Sequence, residues 1–74
     1  MTARDTLKIG GTFFIVDTRP AQVGRDAHIT RIMRCKHGQR TLENFWSPSA
    51  AHAAATHDSE LAYIRLHAAI HPLR

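Results

Sequence analysis

The chain has 74 residues, of which 43% are hydrophobic, so we expect one small domain that buries about 60% of its unfolded surface and leaves little scaffold for a deep substrate cleft. Ten Lys and Arg residues against six Asp and Glu give a formal net charge of +4, which favours an anionic partner such as nucleic acid or an acidic protein surface. A single cysteine excludes an internal disulfide, and no run approaches the roughly 18 apolar residues of a membrane span. We therefore expect a cytoplasmic protein with no membrane segment and no signal peptide.

The first part of the chain, residues 7–46, is rich in strand-forming residues. A β-branched and aromatic run over residues 12–17 predicts a strand that is buried on both faces. Thr18-Arg19-Pro20 is expected to end it, because proline lacks the amide that a ladder needs. The polar stretch through Asp26, which carries Arg19 and Arg25, is then expected to be an exposed loop. A second strand is predicted over residues 27–36, where irregular apolar spacing indicates a bulge near Arg31. His37-Gly38 predicts a two-residue hairpin turn into a third strand over residues 39–45.

The second part, residues 48–71, is predicted to be helical. Ser47 is a candidate N-cap and Pro48 suits the first helical position. A second cap signal at residues 56–59 favours a short alanine-rich turn followed by the main helix. Two apolar faces result, one with Ala62, Tyr63 and Leu66 among its residues and the other formed by Leu61, Ile64 and Ala68. One of these faces is expected to cover the sheet. The other either belongs to the core, which is the simpler interpretation, or forms a homodimer surface. We expect a monomer.

Few residues have the spacing of a catalytic or metal site. Glu60, His67 and His71 share one side of the helix in outline and offer zinc-type ligands, but histidines in a last turn are commonly satisfied by terminal carbonyls. Cys35 is expected to be a small buried hydrophobe rather than a reactive thiol. The remaining histidines are expected on the surface: His28, His52 and His57. We therefore predict no catalytic residues, no metal, no cofactor and no enzymatic activity.

Positive charge is concentrated between residues 19 and 40, which hold six of the ten cations and a single acid, Asp26. Eight of the ten cations are arginines, whose planar forks suit carboxylate and phosphate contacts. Strand alternation and the hairpin turn predict that these residues form one patch, with Trp46 as a candidate anchor at its end. The predicted binding residues are Arg19, Arg25, Arg31, Arg34, Lys36, Arg40 and Trp46. A solvated basic face without a partner is the alternative interpretation.

Short phrases along the chain resemble those of small phage-encoded β-barrel proteins with SH3-like architecture. These phrases are residues 7–17, residues 28–32, and a helix running from Ser59-Glu60-Leu61 to Leu66. Such proteins typically open with a Lys-Ile-Gly-Asp-Thr-aliphatic-Tyr phrase, continue with a Val-Thr-Lys-Val-Gly-Arg strand and end in a helix. The chain departs from the pattern where it reads Met33-Arg34-Cys35-Lys36 in place of Gly-Arg-Lys-Trp.

The expected fold class is therefore α+β, with a small antiparallel sheet or SH3-like partial barrel of about three to four strands followed by a C-terminal helix. The resemblance implies a regulatory protein in the host cell cytoplasm that binds a host protein assembly, most plausibly RNA polymerase, to modulate transcription. The alternative is a nucleic-acid-binding module that contacts phosphates through its arginine-rich hairpin.

Overall fold

A four-stranded antiparallel sheet and one helix make up the protein in a computed structural model, which describes residues 1–70, with side chains described through His67. The strands are β1 (Ala3–Ile9), β2 (Thr12–Val23), β3 (Asp26–Lys36) and β4 (Gln39–Ser47), and the helix is α1 (Ala50–Ile70). The strands lie in the order in which they occur along the chain. The predicted α+β class with an antiparallel sheet and a C-terminal helix is confirmed, and the sheet is open rather than closed into a barrel.

Strand β2 contains the strand that was predicted over residues 12–17. The sequence analysis expected that strand to end at Pro20, but β2 continues to Val23. The pairing of β1 with β2 stops at Thr18, so Pro20 lies where one side of β2 is already an edge, and a missing amide is tolerated there. A register irregularity follows between Pro20 and Val23. The expected exposed loop through Asp26 is thus a strand end and a tight turn.

The bulge predicted near Arg31 is also wrong, because β3 pairs without interruption with β2 and β4 through this position. The irregular apolar spacing has another cause. As an inner strand, β3 carries apolar residues on both faces, with Ile32 on one and Ile29 and Met33 on the other. By contrast, the predicted His37-Gly38 turn is confirmed, and positive φ angles of 51° and 77° at its two residues match a type I′ hairpin.

The helix is one continuous piece rather than two. It begins after Ser49, whose side-chain oxygen accepts a hydrogen bond from the His52 amide at 3.1 Å and whose carbonyl accepts one from the Ala53 amide at 3.0 Å. Ser49 is therefore the N-cap, and the prediction that Ser47 caps the helix is wrong. Ser47 instead ends β4, fully buried and in register with His28.

The core lies between the sheet and one stripe of the helix. Phe14, Val16 and Ile32 of the sheet form a buried cluster with Leu61 and Ile64 of α1. Leu61 and Ile64, which the alternative interpretation placed with Ala68 on a homodimer surface, are thus buried core residues. The side chain of Ala68 lies outside the described part. Tyr63 and Leu66, on the other predicted face, are 38% and 59% exposed.

Candidate partner-binding surface

Strand alternation gives the sheet two faces of different character. The helix packs against one, which we call the helix face. The other, which we call the open face, has no described element across it. Its side chains form four cross-strand rows set by the register. These rows are Lys8-Phe13-Cys35-Arg40, Thr6-Ile15-Met33-Leu42, Arg4-Asp17-Arg31-Asn44 and Arg19-Ile29-Trp46.

The open face carries the whole formal net charge of the protein. Its cations are Arg4, Lys8, Arg19, Arg31 and Arg40, and its one acid is Asp17. Five positive charges less one negative charge give +4, which equals the net charge of the chain, so the remaining five cations and five acids cancel. A field of one sign on one face steers an acidic partner toward that face.

The centre of the open face is apolar, although the sequence predicted burial on both sides of residues 12–17. Phe13 is 46% exposed and Leu42 is 60% exposed, while Ile15 and Met33 are half-buried. A depression of about 230 Å³ lies over this region. Its lining residues are Arg4, Ile15, Asp17, Arg19, Arg31, Met33 and Leu42. The open face therefore has an aliphatic centre with guanidinium groups around it.

Three contacts involve cations on this face. The Nε of Arg31 donates to the Oδ1 of Asn44 at 3.3 Å, and Arg19 forms an ion pair with Asp17 at 2.5 Å. The Lys8 amine lies 5.4 Å from the centre of the Phe13 ring, within cation–π range. Because Asp17 is already paired, it offers little competition to an incoming acid.

The structure brings together only part of the predicted binding set. Arg19, Arg31, Arg40 and Trp46 share the open face, and Trp46 is 40% exposed. Arg34 and Lys36 lie on the helix face, because they are in register with Phe14 and Thr12. Arg25 lies in the turn between β2 and β3.

The sequence analysis missed Arg4 and Lys8, since it predicted no strand over residues 3–9 and took its binding set from residues 19–46. The signal was present, because Leu7 and Ile9 alternate with the polar Thr6 and Lys8. Cys35 was expected to be buried, but it is half-buried on the open face.

Hydrogen-bonded polar side chains, all buried except the half-exposed Asp5, form a chain across the helix face. His57 Nε2 donates to the Asp5 carboxylate at 2.7 Å, since an ionised carboxylate only accepts. His57 Nδ1 and the Thr18 hydroxyl share a hydrogen bond of 2.7 Å, and the Thr18 and Thr30 hydroxyls share one of 2.8 Å. The chain ties α1 to β1, β2 and β3.

These residue types recur in hydrolases, but here the hydroxyls are inaccessible. Thr18 and Thr30 are 0% exposed and His57 is 2% exposed, so no substrate reaches them and the chain is a structural connection. The prediction that His28 and His57 lie on the surface is wrong, because His28 is only 8% exposed. His52 is exposed, as predicted.

The metal hypothesis gains no support from the described residues. Within residues 1–70, no three His, Cys, Asp or Glu side chains are placed to hold a metal ion. The ring of His67 stacks on Tyr63 with 4.1 Å between centroids. His71, the third residue of that hypothesis, lies outside the described residues.

In the described part of the chain, no helix combines the length and the apolar character needed to cross a membrane. Comparisons with known proteins find no protein-family model that matches the chain, no matching curated protein and no matching solved structure. The surface geometry and the buried contacts therefore carry the functional proposals.

Proposed function

We propose that this is a non-enzymatic regulatory protein that binds a partner protein through its open face. The observation that carries the proposal is the coincidence, on one uncovered face, of the whole net charge and an exposed aliphatic centre. Protein interfaces typically combine an apolar centre with a polar rim, and Met, Arg and aromatic residues are enriched in them. The open face has this composition.

The aliphatic centre favours a protein partner over nucleic acid. Single-stranded nucleic acids bind by stacking bases on aromatic rings, but the centre of the open face is formed by Ile15, Met33 and Leu42. Phe13 and Trp46 lie in the first and last rows, about 20 Å apart along the strand direction. Bases stacked on both rings would have to bridge the two rows between them, of which one is largely aliphatic and one is polar and charged.

The size of the face sets the expected strength of binding. Four rows on four strands cover about 500 Å² at ordinary strand spacings, which is below the roughly 800 Å² per partner of a standard stable interface. We expect a reversible complex with a dissociation constant in the micromolar range, whose association slows at high salt. The partner we propose is an acidic surface of a host protein assembly, and the resemblance to phage proteins makes RNA polymerase the first assembly to test.

The test is capture of partners from a bacterial lysate by the tagged protein near physiological salt, with and without nuclease. We expect defined protein subunits to remain after digestion. The double variant Arg31→Gln/Arg40→Gln should retain about tenfold less of them, whereas the charge-matched control Lys36→Gln/Arg65→Gln should retain as much as the unmodified protein. Loss of all retained material after nuclease, or equal loss with the control variant, would overturn the proposal.

Direct nucleic-acid binding is the second candidate, and the exposed rings of Phe13 and Trp46 beside five cations favour it. It predicts that the affinity for an oligo-dT strand falls as salt is added. A plot of log K against the logarithm of the salt concentration should have a slope of about −0.7 for each phosphate neutralised, or up to about −3.5 if all five cations bind phosphates. It also predicts that Phe13→Ser or Trp46→Ser weakens binding about tenfold or more, since stacking contributes about 1–3 kcal/mol per base. A flat salt dependence would exclude it.

A further inference from the structure

We propose that the depression on the open face is a docking site for an acidic peptide segment that carries one large aliphatic side chain, with Arg4 and Arg31 binding the carboxylates beside it. This inference rests on the proposed function and names the chemistry of the partner. Its basis is the placement of an apolar floor and two guanidinium groups around one concave site.

The floor of the site fits an apolar side chain. Ile15 and Met33 face each other across β2 and β3, and Leu42 completes the row on β4. The volume of about 230 Å³ equals that of about eight waters in the liquid, so the depression has room for one large side chain. Releasing this water from an aliphatic surface favours an apolar occupant.

The rim of the site fits carboxylates. Arg4 and Arg31 flank Asp17 in the third row, and Asp17 is already paired with Arg19. None of the hydrogen bonds or ion pairs among residues 1–70 involves the Arg4 guanidinium. The Nε of Arg31 is held by Asn44, which leaves its two terminal nitrogens for a bidentate contact with a carboxylate.

The spacing of the two arginines sets where the acidic residues must lie in the bound peptide segment. Their strands are separated by β2, so their backbones are about 10 Å apart. In an extended peptide, residues two or three positions apart span about 7–10 Å. The expected segment therefore has acidic residues on both sides of its apolar residue. A second copy of this chain does not fit, because two faces that each carry +4 repel one another.

The experiment measures the fluorescence anisotropy of labelled peptides of about seven residues, a length of about 20 Å when extended that matches the width of the four strands. The first probe is Glu-Asp-Glu-Leu-Glu-Asp-Glu, the second has Ser in place of Leu, and the third has Gln and Asn in place of the acids. We expect the first to bind, the second to bind about tenfold more weakly, and the third not to bind detectably. Equal binding of the Leu and Ser peptides would show general charge attraction and overturn the inference.

Protein variants then locate the site. Leu42→Ser changes an exposed side chain, so it should fold normally, and it should weaken the Leu peptide about tenfold while leaving the Ser peptide unchanged. Arg4→Gln/Arg31→Gln should weaken both peptides by about tenfold or more, and Lys36→Gln/Arg65→Gln should weaken both by less than twofold. An equal effect of Leu42→Ser on the two peptides would place the leucine elsewhere and overturn the inference.

The two proposals fail in distinguishable ways. If the Leu peptide does not bind while protein subunits are still captured in an Arg31-dependent and nuclease-resistant manner, the docking site is wrong and the proposed function stands. If neither the peptides nor any nuclease-resistant protein binds, both are wrong. Binding of oligo-dT more tightly than the Leu peptide in the same buffer would also overturn both proposals.

Discussion

The substitution Thr18→Val tests the buried polar chain most directly. Thr18 is fully buried and is a central member of this series of hydrogen-bonded side chains, because its hydroxyl bonds to both Thr30 and His57. Valine has nearly the same shape and suits a strand equally well, so the substitution removes the hydroxyl and little else. It leaves two buried polar atoms, Thr30 Oγ1 and His57 Nδ1, without their partner.

The expected cost follows from these two atoms. A buried polar group left without a hydrogen bond costs about 1–3 kcal/mol, so Thr18→Val should lower the free energy of unfolding by about 2–4 kcal/mol. A chain of this length has a total stability of about 4–11 kcal/mol. Thr30→Val should cost only about 1 kcal/mol, because Thr18 keeps its contact with His57. The double variant should cost less than the sum, since it leaves only His57 Nδ1 unpaired.

The assay is urea unfolding followed by far-ultraviolet circular dichroism and by the fluorescence of Trp46, the only tryptophan. With a denaturant slope of about 1 kcal/mol/M for a small domain, the urea midpoint of Thr18→Val should fall by about 2–4 M at an unchanged slope. Thr41→Val, at an exposed strand position, is the matched control and should change stability by less than about 0.5 kcal/mol. A similarly small change for Thr18→Val, or strictly additive costs in the double variant, would refute the reasoning.

Three further predictions concern stability and are checked by the same urea unfolding. Ile64→Ala should lower the free energy of unfolding by about 2–5 kcal/mol, because Ile64 is 1% exposed in the core. Leu66→Ala, at a 59% exposed position, should lower it by less than about 0.5 kcal/mol. Similar losses for the two variants would contradict the assignment of the helix faces. Gly38→Ala should cost about 1–2 kcal/mol because φ is +77° there. Since no atom lies within 4 Å of the added Cβ, this cost is conformational, and an unchanged midpoint would rule out the left-handed turn. Ser49→Ala should cost about 1 kcal/mol through loss of the cap, and Ser47→Ala should cost less, because the buried Ser47 hydroxyl has no hydrogen-bond partner among the described residues; the reverse order would restore Ser47 as the cap.

The sequence predicted those parts of the fold whose signals are local. The His37-Gly38 turn follows from a glycine between two strand-forming runs, and the helix follows from a proline and a serine before an alanine-rich segment. The end of β2 was missed because the tolerance of Pro20 depends on where β1 stops, which is a property of the pairing and not of residues near Pro20. The bulge near Arg31 was predicted wrongly because apolar spacing alone does not distinguish a bulged strand from an inner strand with two apolar faces. Only the pairing of β3 with both neighbours makes that distinction.

The candidate site could be predicted only in part, for a similar reason. Alternation indicates which residues share a face of one strand, but the register between strands decides which of them meet. Arg34 and Arg31 are therefore close in sequence but lie on opposite faces, while Arg4, 27 positions before Arg31, lies in the same row as Arg31 on the edge strand β1. The burial of His57 had no local signal, because its partners Thr18 and Asp5 are 39 and 52 positions away.

The order of the elements along the chain also has a consequence for synthesis on the ribosome. Each strand pairs with its chain neighbour through a two-residue turn, and hairpins of this kind form in about 1–10 μs. The 21 residues of α1 then take about 1–4 s to synthesise at 5–20 residues per second. A sheet that paired before α1 was in place would leave Val16 and Ile32 uncovered on one face and Met33 and Leu42 on the other. The helix, which is synthesised last, is therefore what covers Val16 and Ile32, and a sheet without it would be prone to aggregate.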